Sequence, residues 1–233
     1  MTQEPYQGFG SDGGMFADNP SPRAPCILIM DVSGSMGGAP IAALNSGLQQ
    51  YRDEIIQDTL ASRQVEIAIV TFGGTVHLAQ DFVEAHRFQP PTLSAAGDTP
   101  MASAILQAVL ELENRKMTYR QNGVSFYRPW IFLFTDGAPT EDAQKWRVAC
   151  EAVRLGEEQK KFTFYAVGVD GADFQKLQEL SPSRPPLRLN GIAFREFFKW
   201  LSASQRAVSQ SQPGQLVALP PATGPSGWGA AAV

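Results

Sequence analysis

Three short stretches carry side chains that could act together chemically. They are Asp31-Val32-Ser33-Gly34-Ser35, then Thr99 within Gly97-Asp98-Thr99-Pro100, then Asp136 within Thr135-Asp136-Gly137. Asp31, Ser33, Ser35, Thr99 and Asp136 all offer oxygen, with no thiol or imidazole among them. Hard divalent cations prefer that set, and Mg²⁺, Mn²⁺ and Ca²⁺ all accept it. Two carboxylates roughly neutralise a dication, while hydroxyls and water leave it a strong Lewis acid. Mg²⁺ takes about six oxygens, so these side chains, some acting through water, leave a position open. A glutamate or aspartate of another protein could fill it. Gly34 lets the backbone turn tightly enough to bring both serine hydroxyls to one side.

Each stretch also has a plain reading on its own. Asp and Ser favour helix starts, Thr99 before Pro100 has the form of an N-cap, and Asp136-Gly137 is a common turn pair. The informative feature is the order: an acid with two hydroxyls, then a hydroxyl, then an acid, each after a strand or strand-like segment.

Elements must bring these stretches to one place. Residues 26–30 and 130–134 are unbroken apolar runs, too short for helices of their own. They read as strands buried on both faces, with polar residues at their carboxyl ends, where open α/β sheets place ligands. Residues 65–72 alternate bulky side chains, Gly73-Gly74 turns the chain, and 75–82 reads as an antiparallel edge partner. Further strands are expected at 162–169 and 187–189. Ile41, Leu44, Leu48, Tyr51 and Ile55 step by threes and fours behind Pro40, which suits a first helical turn. Met101, Ile105, Ala108 and Leu112 mark a second helix; Trp146, Cys150 and Val153 mark a third. Two shorter helices are expected near 173–180 and 193–204, the latter carrying Phe194, Phe197, Phe198 and Leu201. The sum is an α/β fold: a doubly wound, mostly parallel six-stranded sheet with one antiparallel edge strand and helices on both faces.

The 233 residues suit one such domain with tails. Residues 1–24 read as a flexible arm, 25–204 as the domain, and 205–233, dominated by Pro, Gly, Ala and Ser, as a disordered tail in which Trp228 stands alone. A net charge of −4 without a Lys/Arg cluster argues against nucleic acid as a partner. No apolar stretch approaches the ~20 residues of a membrane span, and the amino terminus lacks the apolar core of a secretory signal. Cytoplasmic residence is the expectation. Cys26 and Cys150 are too few for a disulfide framework and read as small core residues. His77 and His86 lie outside the three stretches and read as packing or surface groups.

The pattern Asp31-x-Ser33-x-Ser35, Thr99 and Asp136 resembles the metal-ion-dependent adhesion site (MIDAS) of the von Willebrand factor A domain family, over about residues 25–204. That resemblance implies Ser33, Ser35 and Thr99 as hydroxyl ligands, and Asp31 and Asp136 as carboxylates holding the ion largely through water. A narrower likeness is to the bacterial TerY-type proteins of tellurium-resistance and stress gene clusters. It is carried by 29–36, by Pro40-Ile41-x-Ala43-Leu44-Asn45-x-Gly47-Leu48, and by 130–140. It implies a cytoplasmic partner-binding module beside a PP2C-type phosphatase and a protein kinase. The cysteine-rich tail of some such proteins has no counterpart here.

The competing expectation is a metal-dependent phosphotransferase or phosphohydrolase, since an Asp after a strand also hosts aspartyl-phosphate chemistry. A haloacid-dehalogenase-like site would want a second acid where Ser33 stands, and no Lys lies in the three stretches. The glycines around residue 34 lack the Lys-Ser/Thr of a phosphate-binding loop. The residues therefore favour a binding module over an enzyme.

Overall fold

The computed structural model describes residues 16, 19–223 and 228–231. The strands are β1 (Ala24–Asp31), β2 (Val65–Gly73), β3 (Thr75–Glu84), β4 (Trp130–Thr135), β5 (Thr163–Gly168), β6 (Leu187–Leu189) and β7 (Gly229–Ala231). Between them run α1 (Ala39–Ile55), α2 (Thr59–Gln64), α3 (Met101–Gln121), α4 (Ala143–Glu158), α5 (Phe174–Leu180) and α6 (Phe194–Ser209). The strands form one sheet in the order β3-β2-β1-β4-β5-β6-β7. β2, β1, β4, β5 and β6 are parallel, and β3 and β7 are antiparallel edges.

Every residue of β1 is buried, as a central parallel strand requires. Its side chains alternate between two cores. Cys26, Leu28 and Met30 face Leu44, Leu48 and Tyr51 of α1 and Phe194, Phe197 and Phe198 of α6. Ile27 and Ile29 face Ile105 and Leu112 of α3 and Trp146 and Val153 of α4. Helices α2, α4 and α5 start on Asp58, Asp142 and Asp173, each accepting two backbone N–H groups of its first turn. From β1 the chain winds one way to β2 and then returns to place β4 on the other side. The crevice at the carboxyl ends of β1 and β4 is therefore a topological switch point, the standard place for a ligand in an open α/β sheet.

Four expectations need correction. The sheet has seven strands and two antiparallel edges, not six and one. α2 forms where no helix was expected, because Asp58 caps it. Residues 1–15 and 17–18 lie outside the described residues, but the remainder of the expected arm joins the core. Phe16, Asn19 and Arg23 are buried, and Phe16 lies edge-on to Tyr119, with ring centroids 5.8 Å apart. The expected disorder from 205 onward also fails for the described part: α6 continues to Ser209, and β7 pairs with β6. Trp228 is buried against Phe197 and Trp200, with centroids 4.9 and 5.6 Å away. Composition gave the tail no apolar periodicity, but one aromatic over an aromatic patch suffices to dock it.

A charged network closes the end of the sheet opposite the switch point. Glu66, fully buried at the start of β2, accepts from Arg23 Nε at 3.0 Å, from Arg115 Nε at 2.7 Å and from the Tyr119 hydroxyl. Arg23 also reaches Glu84 at 3.1 Å, and Asn19 donates to the same Glu84 carboxylate at 2.7 Å. Among the described residues no helix is long and apolar enough to cross a membrane.

Candidate functional site

Asp31 is the last residue of β1, and Asp136 follows β4 directly, so neighbouring parallel strands bring the two acids to one edge. Ser33 N–H donates to Asp31 Oδ1 at 2.8 Å, folding the chain back on the carboxylate. The next residues, Gly34–Met36, form a single 3₁₀ turn that presents Ser35. The Ser33 and Ser35 hydroxyl oxygens lie 3.1 Å apart, and Ser35 donates to Asp136 Oδ1 at 2.8 Å. Thr135, at the end of β4, donates to Asp31 Oδ2 at 2.6 Å and accepts Gly137 N–H at 3.2 Å. Asp31, Ser33, Ser35 and Asp136 thus form one hydrogen-bonded cluster across the crevice, with Ser35 exposed at its mouth.

Thr99 arrives by a different route. Its carbonyl accepts Thr140 N–H at 3.1 Å and Met101 N–H at 2.8 Å, which pins it to the loop after β4. A β-carbon on Gly137 would stand 3.7 Å from the Thr99 hydroxyl, so that hydroxyl borders the Asp136 turn. It makes no hydrogen bond to protein among the described residues and is available to a ligand. Asp98 beside it is exposed.

Backbone hydrogen bonds lock the loop after β1, the β2–β3 turn and the Thr99 loop to one another. Val32 N–H donates to Phe72 O at 2.8 Å and Ala96 N–H to Val32 O at 2.7 Å. Gly34 N–H donates to Gly97 O and Gly74 N–H to Asp98 O, both at 2.9 Å. The approach is close enough to require glycine at 97. Its φ is +78°, and a β-carbon there would fall 2.5 Å from Gly74 N.

Burial raises the Asp31 carboxyl above its ordinary pKa, and the nearby Asp136 charge pushes the same way. Hydrogen bonds from Ser33 and Thr135 oppose this without cancelling it. The groups acting on Asp31 are hydroxyls, an amide and a second carboxylate, with no cation among them. A dication between the acids would remove the repulsion and offset the desolvation. Among the described residues no group of three or more His, Cys, Asp or Glu converges, so a cation here would depend on hydroxyl donors. Ser33, Ser35 and Thr99 supply three. The oxygen-only donor set with two facing acids fits a hard divalent ion.

Sequence reading missed Thr135, which orients Asp31; its signal was a hydroxyl closing an otherwise apolar strand, one residue before an acid already singled out. The His77 side chain meets the Thr75 hydroxyl and that of His86 meets Ser62 O and Glu84, and none of these partners belongs to the cluster. Cys26 and Cys150 are free thiols in the two different cores.

Comparison with solved structures places the same fold in unrelated contexts. The pilus adhesin SpaC of Lactobacillus rhamnosus GG, in an open conformation, matches with a TM-score of 0.61 and 15% identity, over 80% of this chain and 30% of that one. Proximal thread matrix protein 1 of the mussel byssus matches at 0.54 and 15% identity, over 80% of this chain and 48% of that one. The PilB minor pilin of Streptococcus sanguinis, as its D319A mutant, matches at 0.53 and 9% identity, over 89% and 63%. This chain thus spans less than two thirds of each of those proteins, and at such identity the likeness concerns the fold. A search of curated proteins by sequence returned no significant match. The family model for the von Willebrand factor type A domain matches residues 26–196, and this chain belongs to that family.

Proposed function

We propose that the protein is a non-enzymatic, divalent-metal-dependent interaction module, with Asp31, Ser33, Ser35, Thr99 and Asp136 as its metal site. The observation that carries this reading is the meeting of two carboxylates and two serine hydroxyls in one hydrogen-bonded cluster, with the Thr99 hydroxyl unengaged beside it. Family membership supports it, since such domains are commonly metal-dependent interaction modules. When bound, Mg²⁺, or Mn²⁺ or Ca²⁺ in its place, supplies an electrophile for a carboxylate. The chain does the rest. Asp31 and Asp136 supply the negative charge, Ser33, Ser35 and Thr99 supply neutral oxygens, and Thr135 and Ser33 N–H fix the Asp31 carboxylate. Ser35 must rotate its proton away from Asp136 to offer a lone pair outward.

The partner is a protein presenting a glutamate or aspartate. The motif likeness to TerY-type proteins points to a stress-response or phospho-signalling setting in the cytoplasm, with a PP2C-type phosphatase or a protein kinase as partner. Two free thiols suit a reducing compartment. Affinity capture on immobilised protein tests the reading. Partners are expected to be retained in Mg²⁺ and released by EDTA, and to be absent from an Asp136→Ala column. Equal capture in all three arms would overturn it. Turnover of p-nitrophenyl phosphate by wild type, lost in Asp31→Ala, would instead favour the phosphohydrolase.

A further inference from the structure

Helix α3 begins on Pro100, whose side chain cannot accept a hydrogen bond, and no side chain of the N-cap residue closes its first turn. The orphan donor at Ser103 is met from 38 residues away. Both carboxylate oxygens of Glu141 lie within reach of Ser103 N–H, at 3.2 and 3.1 Å, and one also accepts from the Ser103 hydroxyl. Lys145 Nζ also holds this carboxylate, at 2.9 Å, and the Glu141 side chain is only 12% exposed. A carboxylate suits this spot because the exposed N–H groups of a helix start carry partial positive charge. Its neighbour Thr140 donates to Thr99 O. The segment after Asp136 therefore grips the Thr99 loop through Thr140 and the helix turn that follows it through Glu141.

We propose that Glu141 is a positioning residue for the metal site: it docks the Asp136 segment on the first turn of α3 and so sets where the Thr99 hydroxyl stands relative to Asp136. This inference rests on the metal-site reading above. Glu141 touches none of the five proposed ligands. It acts through Ser103 and through the Thr140–Thr99 hydrogen bond. Partners that orient ligands from outside the coordination shell commonly change metal affinity by about 10–100-fold when removed.

The test compares wild type, Glu141→Ala and Glu141→Gln by calorimetric titration with Mn²⁺ and by amide hydrogen exchange of the metal-free proteins. Glu141→Ala is expected to weaken Mn²⁺ binding roughly tenfold and to speed exchange at Ser103 and Thr140. Glu141→Gln keeps an oxygen that accepts from Ser103 and is expected to stay near wild type in both measurements. Equal Mn²⁺ affinity in wild type and Glu141→Ala would overturn the inference and leave the metal site standing. Equal weakening by Ala and Gln would also overturn it, because net charge rather than positioning would then be the cause. A wild-type protein that takes up no Mn²⁺ would defeat the metal-site reading itself, and the inference with it.

Discussion

Replacing Glu66 by alanine is expected to destabilise the protein by about 3–5 kcal/mol, the usual cost of breaking a buried ion pair. Glu66 and Arg23 are both 0% exposed and Arg115 is 8% exposed. One carboxylate thus serves two guanidiniums and the Tyr119 hydroxyl inside the protein. Without it, two desolvated cations lose their shared counter-charge, and Arg23 keeps only its bond to Glu84 among its acidic partners. Aromatic faces cannot compensate. Phe16 lies 5.5 Å from the Arg23 guanidinium and 5.1 Å from that of Arg115, and such contacts, worth about 2 kcal/mol when desolvated, do not neutralise a charge. Equilibrium unfolding in urea reads the change. A loss below about 1 kcal/mol would mean the network behaves like an exposed pair. The proposed metal site lies at the opposite end of the sheet, so Mn²⁺ affinity of the folded variant should match wild type.

The second large effect is expected at Trp228. Truncation to alanine should cost about 3–5 kcal/mol, as for other buried aromatics, since the ring is only 2% exposed between Phe197 and Trp200. Three-residue β7 cannot hold the edge of β6 by its own hydrogen bonds, so loss of the ring should also release β7. Pro220 is tied separately, by Trp200 Nε1–H donating to its carbonyl at 2.7 Å. Among the described residues the buried Trp228 indole N–H has no partner, so Trp228→Phe removes an unsatisfied donor and should cost clearly less. Thermal unfolding and limited proteolysis check both. An unchanged melting temperature in Trp228→Ala, with no new cleavage beyond Gln210, would show that the strand and its aromatic anchor contribute nothing.

These two sites also mark where sequence reasoning stops. The parallel core was legible because β1 and β4 are unbroken apolar runs ending in polar residues, a pattern with few other uses. The clustering of four of the candidate site residues was legible for the same reason: they sit where those strands end, and the structure joins Asp31, Ser33, Ser35 and Asp136 directly. Thr99 was legible only in combination with them. Arg23 and Glu66 were invisible, because a charge inside an apolar context has no local signal when its partner lies 43 residues away. Phe16 and Trp228 were invisible too: Phe16 is one of three aromatics scattered through a Gly/Pro-rich arm and Trp228 the one aromatic of a Gly/Pro-rich tail, and only the patch each covers gives it a place. Glu141 reads locally as the residue before an N-cap, and its grip on Ser103 exists only in three dimensions.

Soaking crystals of the protein in Mn²⁺ and mapping the anomalous signal tests the central claim most directly. One peak is expected in the crevice between β1 and β4, enclosed by Asp31, Ser33, Ser35, Thr99 and Asp136 and open to solvent on one side. A crevice without a peak, or a peak held by other residues, would contradict it.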